Sequence, residues 1–209
     1  MNALKTTWRL ATVSIWFAVS VCAAENTEQP HEPLSADTLR ILSNIDRRAS
    51  ERTEADKRAA DSLNRDGERA YRKGNYRAAR TAFSNSYPNF PTAFAYIMTG
   101  DSHWRAALQI ARSHAASSAM GTNGSRACVM SNEHFPHDLL MDLDQHHEVG
   151  LALAAKANGG KLPSEPLVQR ASAEAACLRN LGTRYETQPA TACVDMDALA
   201  ACLGAPLLQ

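Results

Sequence analysis

The stretch AYRKGNYRAARTAFSNSYPNFP, residues 70–91, decides the fold of this chain. Helix-forming residues at 60–73 lead into Gly74, which with the asparagine after it forms a tight helix stop. A second helix is predicted over 76–87, because apolar residues recur there at helical spacing: Tyr76, Ala79 and Phe83. Two prolines, Pro88 and Pro91, then end the unit. The stretch therefore predicts two short antiparallel helices joined by a glycine turn.

This helical hairpin resembles the tetratricopeptide repeat, a unit of about 34 residues. The positions that match its pattern are Leu63, Gly67, Gly74, Tyr76, Ala79, Phe83 and Pro91. Three positions depart from it: Asp66, Ala70 and Ser86. The resemblance covers one clear unit, at 60–93. It implies stacked neighbouring hairpins, because a single repeat cannot bury its own apolar faces, and a surface that holds a partner protein or peptide.

A weaker echo of the hairpin follows. HWRAALQIARSH (103–114) compares with NYRAARTAFSNS (75–86), with Trp104 in the place of Tyr76 and Ala107 in the place of Ala79. The echo predicts a degenerate second unit, with a short helix over 92–98 and a turn at 99–102. The repeat-like core would then span 60–118. The alternative is a chance likeness between alanine-rich helices.

The rest of the chain also carries helical patterns. Ser35 is a predicted N-cap, and a helix is expected from there to residue 60 on the apolar positions Leu39, Leu42, Ile45 and Ala49. Further helices are expected over 138–157, 166–185 and 195–203. No alternating β-branched run indicates a strand. The predicted fold is all-α, a single domain over 35–209 of short stacked antiparallel hairpins.

The N-terminus has the three parts of a secretory signal peptide. Two basic residues, Lys5 and Arg9, precede an apolar run that ends in small residues near Ala24. Residues 1–24 are therefore predicted to be cleaved, leaving a flexible leader at 25–34 and a periplasmic or secreted protein without a stable membrane span. The alternative is an uncleaved anchor, although the run is shorter than the roughly 20 residues that cross a bilayer.

The four cysteines outside the signal are Cys128, Cys177, Cys193 and Cys202. An even number in an oxidising compartment predicts two disulfides. Cys177 lies about two turns before the end of one predicted helix, and Cys202 about two turns after the start of the next. In an antiparallel hairpin they would face each other and staple the C-terminal helices, which leaves Cys128 for Cys193. Four buried free thiols are the alternative.

Charge favours no single class of partner. The chain has 22 basic and 22 acidic residues, and the two signs interleave over 40–80. Interleaved signs are typical of a solvated helix face, although a basic partner-binding face is an alternative. Nucleic acid is not an expected partner of an exported protein.

A cluster of histidines and carboxylates lies at 134–148. Its candidate metal ligands are His134, His137, Asp142 and His146. Histidine and carboxylate bind zinc or copper, but no HExxH or HxxEH string is present. The alternative is a solvated helix start with acidic residues near the positive end of the helix dipole.

Two functions from different classes follow. The first is a non-catalytic, exported protein- or peptide-interaction module with no cofactor. The second is a metal-dependent enzyme or metal carrier that uses the cluster at 134–148. No GxSxG, P-loop or GxGxxG string points to another enzyme class.

Overall fold

A computed structural model describes residues 34–117, 135–186 and 196–208. All regular structure in these ranges is helical, which confirms the all-α prediction. The helices are α1 (Ala36–Arg47), α2 (Glu54–Arg72), α3 (Tyr76–Ser86), α4 (Ala93–Ser117), α5 (Phe135–Ala157), α6 (Pro166–Glu186) and α7 (Met196–Leu203), with a 3-10 turn at Ala49–Glu51.

The helices from α2 onward stack in chain order. Each of α2 to α6 packs against the helix that follows it, and α7 also contacts α4. In such a stack, alternate helices share a side, so α2, α4 and α6 lie on one face and α3 and α5 on the other. The remaining helix, α1, packs on α5.

The α2–α3 hairpin forms where the opening stretch predicts it. Gly74 has φ of +71°, a left-handed conformation that glycine adopts without strain. Its amide donates to Tyr71 O at 2.8 Å, and the amide of Asn75 donates to Ala70 O at 3.0 Å. These two bonds complete a Schellman motif, and the side chain of Asn75 then caps α3.

Gly67 brings α2 and α3 together. A Cβ at Gly67 would lie 2.7 Å from the ring of Phe83, so only glycine leaves room for that ring. Phe83 is 0% exposed and belongs to the first apolar cluster, which joins α2 to α6: Tyr71, Ala79, Phe83, Ile97, Met98, Ala154, Val168, Ala171 and Leu207. A second cluster joins α4, α6 and α7: Trp104, Leu108, Leu178, Leu181, Leu199 and Leu203.

The predicted second hairpin is wrong. The turn expected at 99–102 lies inside α4, a continuous helix of 25 residues. Gly100 serves close packing there, because a Cβ at Gly100 would lie 2.6 Å from Nδ1 of His147 on α5. Gly150 on α5 accommodates Ile97 in the same way, at 2.7 Å. The two glycines let α4 and α5 approach closely.

The single helix expected over 35–60 is also wrong. It is interrupted after Arg47, and Thr53 starts α2 with a capping box in which its hydroxyl and backbone pair with Asp56. Arg48 precedes the 3-10 turn that separates the two helices. The capping signal at Thr53 therefore prevailed over the good helix propensity of the residues around it.

Polar contacts hold α1 on α5. Glu148 accepts from the amide and the hydroxyl of Ser35, at 2.6 and 2.8 Å, and from the hydroxyl of Thr38 at 2.8 Å. Asp46 pairs with Lys156 near the other end of α1. The predicted apolar face is only partly covered, since Leu39 remains 53% exposed.

The Cys177–Cys202 disulfide is confirmed and ties α6 to α7, with 5.4 Å between the Cα atoms. The predicted Cys128–Cys193 pair lies outside the described residues. So do the predicted signal peptide and residues 25–33 of the leader.

Candidate functional site

Residues 204–208, here called the tail segment, leave α7 without forming a further helix. The carbonyl groups of residues 203–205 accept hydrogen bonds from an arginine of α4. Nη2 of Arg105 donates to the carbonyls of Leu203 and Ala205, at 2.8 and 3.0 Å. Its Nη1 donates to the carbonyl of Gly204 at 3.3 Å. One guanidinium thus binds three successive carbonyl groups.

A second arginine continues this pattern from α6. Arg170 donates through Nη2 to the carbonyls of Ala205 and Pro206, the latter at 3.1 Å. The two arginines together cover every carbonyl from 203 to 206. The segment is left-handed at Gly204, with φ of +52°, and bends at Ala205 and Leu207. The arginine contacts recognise its main chain and do not depend on its side chains.

The last contacts come from α2. Tyr71 is buried, and its hydroxyl accepts from the amide of Leu207 at 2.9 Å. The side chain of Leu207 enters the first apolar cluster and is 7% exposed. The tail segment therefore lies across α2, α4 and α6, the helices that share one face of the stack.

A buried carboxylate orients both Tyr71 and Arg105. Asp101 is 0% exposed. It accepts from Nε of Arg105 at 3.0 Å and from the hydroxyl of Tyr71. Pairing with Asp101 neutralises the guanidinium charge of Arg105 and leaves its Nη1 and Nη2 to bind the tail segment. Burial, and then the charge of Asp101, raises the pKa of Tyr71, so its hydroxyl keeps its proton.

Glu174 on α6 completes the group as a neutral acid. Its Oε1 lies 3.7 Å from Nη2 of Arg105, close enough to suggest an ion pair. Burial, and then the charge of Asp101, nevertheless raises the pKa of Glu174 to about 9. The short contacts of Arg105 go to Asp101 and to the tail segment, and burial favours the protonated form of Glu174. The carboxylate that neutralises the charge of Arg105 is then that of Asp101.

Several of the residues that match the tetratricopeptide pattern and its second copy pack in or beside the apolar clusters next to this site. Tyr76 packs edge-on against Tyr71 with 5.0 Å between ring centroids, and Arg105 lies 6.0 Å from the centre of the Tyr76 ring. Ala79, Phe83 and Trp104 are buried in the apolar clusters, Ala107 is buried on α4, and Leu63 and Pro91 are half-buried.

The sequence reasoning missed the residues that touch the tail segment. A local signal existed for Asp101 and Arg105, because oppositely charged residues four apart inside an apolar helical stretch indicate a buried pair. That signal was obscured by the turn predicted at 99–102. Arg170 and Glu174 are also oppositely charged and four apart on α6, but their role at the tail segment depends on the packing of α6 beside α4 and could not be predicted from that spacing.

Most of the predicted metal cluster lies outside the part of the chain that the structure describes, so its assembly stays a prediction. His134 lies outside it, as do the side chains of His137 and Asp142. His146 packs beside the stacked rings of Tyr87 and Tyr96, at 6.1 and 6.2 Å between centroids. Among the described residues, no group of three or more histidine, cysteine or acidic side chains is placed to hold a metal ion.

Comparison with protein-family models, with curated proteins and with solved structures gives no match to this chain. None of the helices in the described ranges has the length and apolar character needed to cross a membrane.

Proposed function

We propose that the protein is an exported, non-catalytic interaction module that binds a bent, non-helical polypeptide segment on the face lined by α2, α4 and α6. The observation that carries the proposal is the tail segment, which lies on this face with its carbonyls bound by Arg105 and Arg170. A face that holds one bent, non-helical segment through its main chain suits others of similar shape.

The resemblance of residues 60–93 to the tetratricopeptide repeat supports the same function. In a stack of helical hairpins, alternate helices present an extended surface to a partner. Along the chain, residues 203–207 contact Arg105 of α4, then Arg170 of α6 and finally Tyr71 of α2. The described contacts involve hydrogen bonding and apolar burial, as binding requires.

Export is the second part of the proposal. It rests on the signal-like residues 1–24, and the Cys177–Cys202 disulfide is typical of an oxidising compartment. N-terminal sequencing of the protein from its native cells should find a mature chain that begins near Glu25. Retention of Met1 in cytosolic protein would contradict export.

The binding function is tested with the full-length Leu207→Ser variant, in which the apolar contact of the tail is removed. This variant is applied to an array of immobilised peptides that are non-helical and apolar. Binding should fall about tenfold or more when Arg170→Gln is added, because two carbonyl contacts are lost. Arg112→Gln, an exposed position on α4, is the charge-matched control and should leave binding unchanged. A folded variant that binds no peptide on the array would overturn the proposal.

Metal analysis addresses the alternative class. Protein purified without added metal should contain far less than one zinc or copper ion per chain. A stoichiometric content would favour the metal-dependent enzyme or carrier.

A further inference from the structure

The tail segment occupies the proposed binding face from within the same chain. We infer that it is an intramolecular ligand that closes this face, and that the ligand in trans is a non-helical peptide of the same bent shape that carries leucine, or a similar apolar residue, with a free amide at the Leu207 position. This inference rests on the proposed function. It identifies the class of peptide that binds, and the competitor that limits the access of that peptide to the face.

The main-chain contacts define the first requirement. The amide of Leu207 donates to Tyr71, whose own proton goes to Asp101. The hydroxyl of Tyr71 can therefore only accept a hydrogen bond from the tail segment. A ligand must offer an N–H at the position of the Leu207 amide. A proline or an N-methylated residue there cannot supply one.

Burial along the tail segment defines the second requirement. Gly204 and Ala205 are exposed, whereas Leu207 lies in the first apolar cluster. Side-chain selection thus falls on the Leu207 position. Pro206 precedes it and accepts from Arg170 through its carbonyl. The ring of proline fixes its φ angle, which lowers the conformational entropy lost on binding.

The attachment of the tail segment makes it a strong competitor. Cys202 lies just before residue 204 and is bonded to Cys177 on α6. A ligand attached through a short linker has an effective concentration in the millimolar range. A free peptide that makes the same contacts must displace it, so the native chain should bind such peptides weakly. Weakening the tail should raise the apparent affinity.

The experiment uses the labelled peptide LGAPLLQ, a copy of residues 203–209. Fluorescence anisotropy measures its binding to the full-length wild-type chain and to full-length Leu207→Ser. We expect the variant to bind at least about tenfold more tightly, because its own tail no longer competes effectively. Ala201→Ser, at an exposed position on α7 outside the tail segment, is the control and should behave as wild type.

A second peptide tests the contact with Tyr71. It carries N-methyl-leucine at the position that copies Leu207, so that the side chain remains and the N–H is lost. We expect it to bind the Leu207→Ser chain at least about tenfold more weakly than LGAPLLQ does. Equal affinity of the two peptides would overturn the predicted amide requirement, and equal binding of LGAPLLQ by wild type and variant would overturn the intramolecular competition.

Two further measurements keep the inference falsifiable. If Leu207→Ser does not fold by circular dichroism, Leu207→Ala replaces it. In the wild-type chain, saturating LGAPLLQ should speed hydrogen exchange at the Leu207 amide, and unchanged protection would contradict displacement. A folded Leu207→Ser chain that binds unrelated array peptides but not LGAPLLQ would overturn this inference and leave the proposed function standing. Failure to bind any peptide would overturn both.

Discussion

Tyr71 and Leu207 are 136 positions apart in the sequence, and the hydroxyl of Tyr71 accepts the amide of Leu207 at 2.9 Å. The same hydroxyl donates to Asp101. Both hydrogen-bonding capacities of a buried phenol are thereby used. The contact links the first hairpin of the stack to the last described residues, so the stability of the tail segment and of this site are coupled.

Tyr71→Phe should lower the free energy of unfolding by about 1–3 kcal/mol, because it leaves two buried polar groups without this partner. Urea denaturation measures the change. Tyr76→Phe is the matched control, since Tyr76 is half-buried and its hydroxyl makes no hydrogen bond within the described part of the chain. Equal losses from the two substitutions would contradict a specific role for the Tyr71 hydroxyl.

Glu174→Gln should remove a pH dependence of stability. The folded protein holds the Glu174 proton up to about pH 9, whereas the unfolded chain releases it near 4.5. The stabilising contribution is complete below pH 4.5 and is lost as the pH rises toward 9. Glutamine is neutral at every pH. The free energy of unfolding of the variant, relative to that of wild type, should therefore increase with pH over this window.

Urea denaturation at several pH values between 4.5 and 9 tests this expectation. The buried groups near Glu174 remain the same in both chains, so the difference between the two curves isolates its titration. Glu165→Gln, at an exposed position just before α6, is the control and should give a curve parallel to wild type. A parallel curve for Glu174→Gln as well would show that Glu174 is ionised in the folded protein.

Phe83→Ala should destabilise the fold by about 3–5 kcal/mol, as expected for truncation of a fully buried aromatic side chain. Arg80→Ala on the same helix is exposed and should change stability by no more than about 0.5 kcal/mol. Chemical denaturation of both variants measures the difference. Similar values would mean that α3 presents the opposite face to the core.

Gly67→Ala tests the contact that positions Phe83. In the native chain the added Cβ would meet the Phe83 ring at 2.7 Å, and overpacking of this kind costs about 1–3 kcal/mol. In a Phe83→Ala background the obstruction is gone, and alanine gains about 1 kcal/mol over glycine in a helix. The substitution should therefore become neutral or stabilising there. Additive effects in this double-mutant cycle would refute the packing.

Local signals explain which parts of this fold were predictable. Gly74 ends α2 through its own left-handed conformation, so the first hairpin follows from nearby residues. The Cys177–Cys202 pair follows from antiparallel register and helix periodicity. Gly100 is a different case, because the same residue type that stops a helix also permits close helix packing. Only the position of His147, on another helix, decides between these roles.

The candidate site was beyond sequence reasoning for a related reason. Residues 204–208 have neither helical nor strand periodicity, so nothing local indicates where they bind. Arg105 and Arg170 come from helices that neighbour each other only in the folded stack. Their shared target, the carbonyl of Ala205, is a main-chain group and leaves no mark in the amino-acid sequence.

Replacing Cys177 and Cys202 together by serine should lower the free energy of unfolding by about 3 kcal/mol, because the disulfide closes a loop with a sequence separation of 25. The loss should be local as well as global. Since the bond holds α7 on α6, hydrogen exchange should speed up more at the Leu207 amide than at amides inside α3. Native-state exchange followed by mass spectrometry measures both regions. A uniform increase would show that the disulfide stabilises the whole stack and does not specifically hold the tail segment in place.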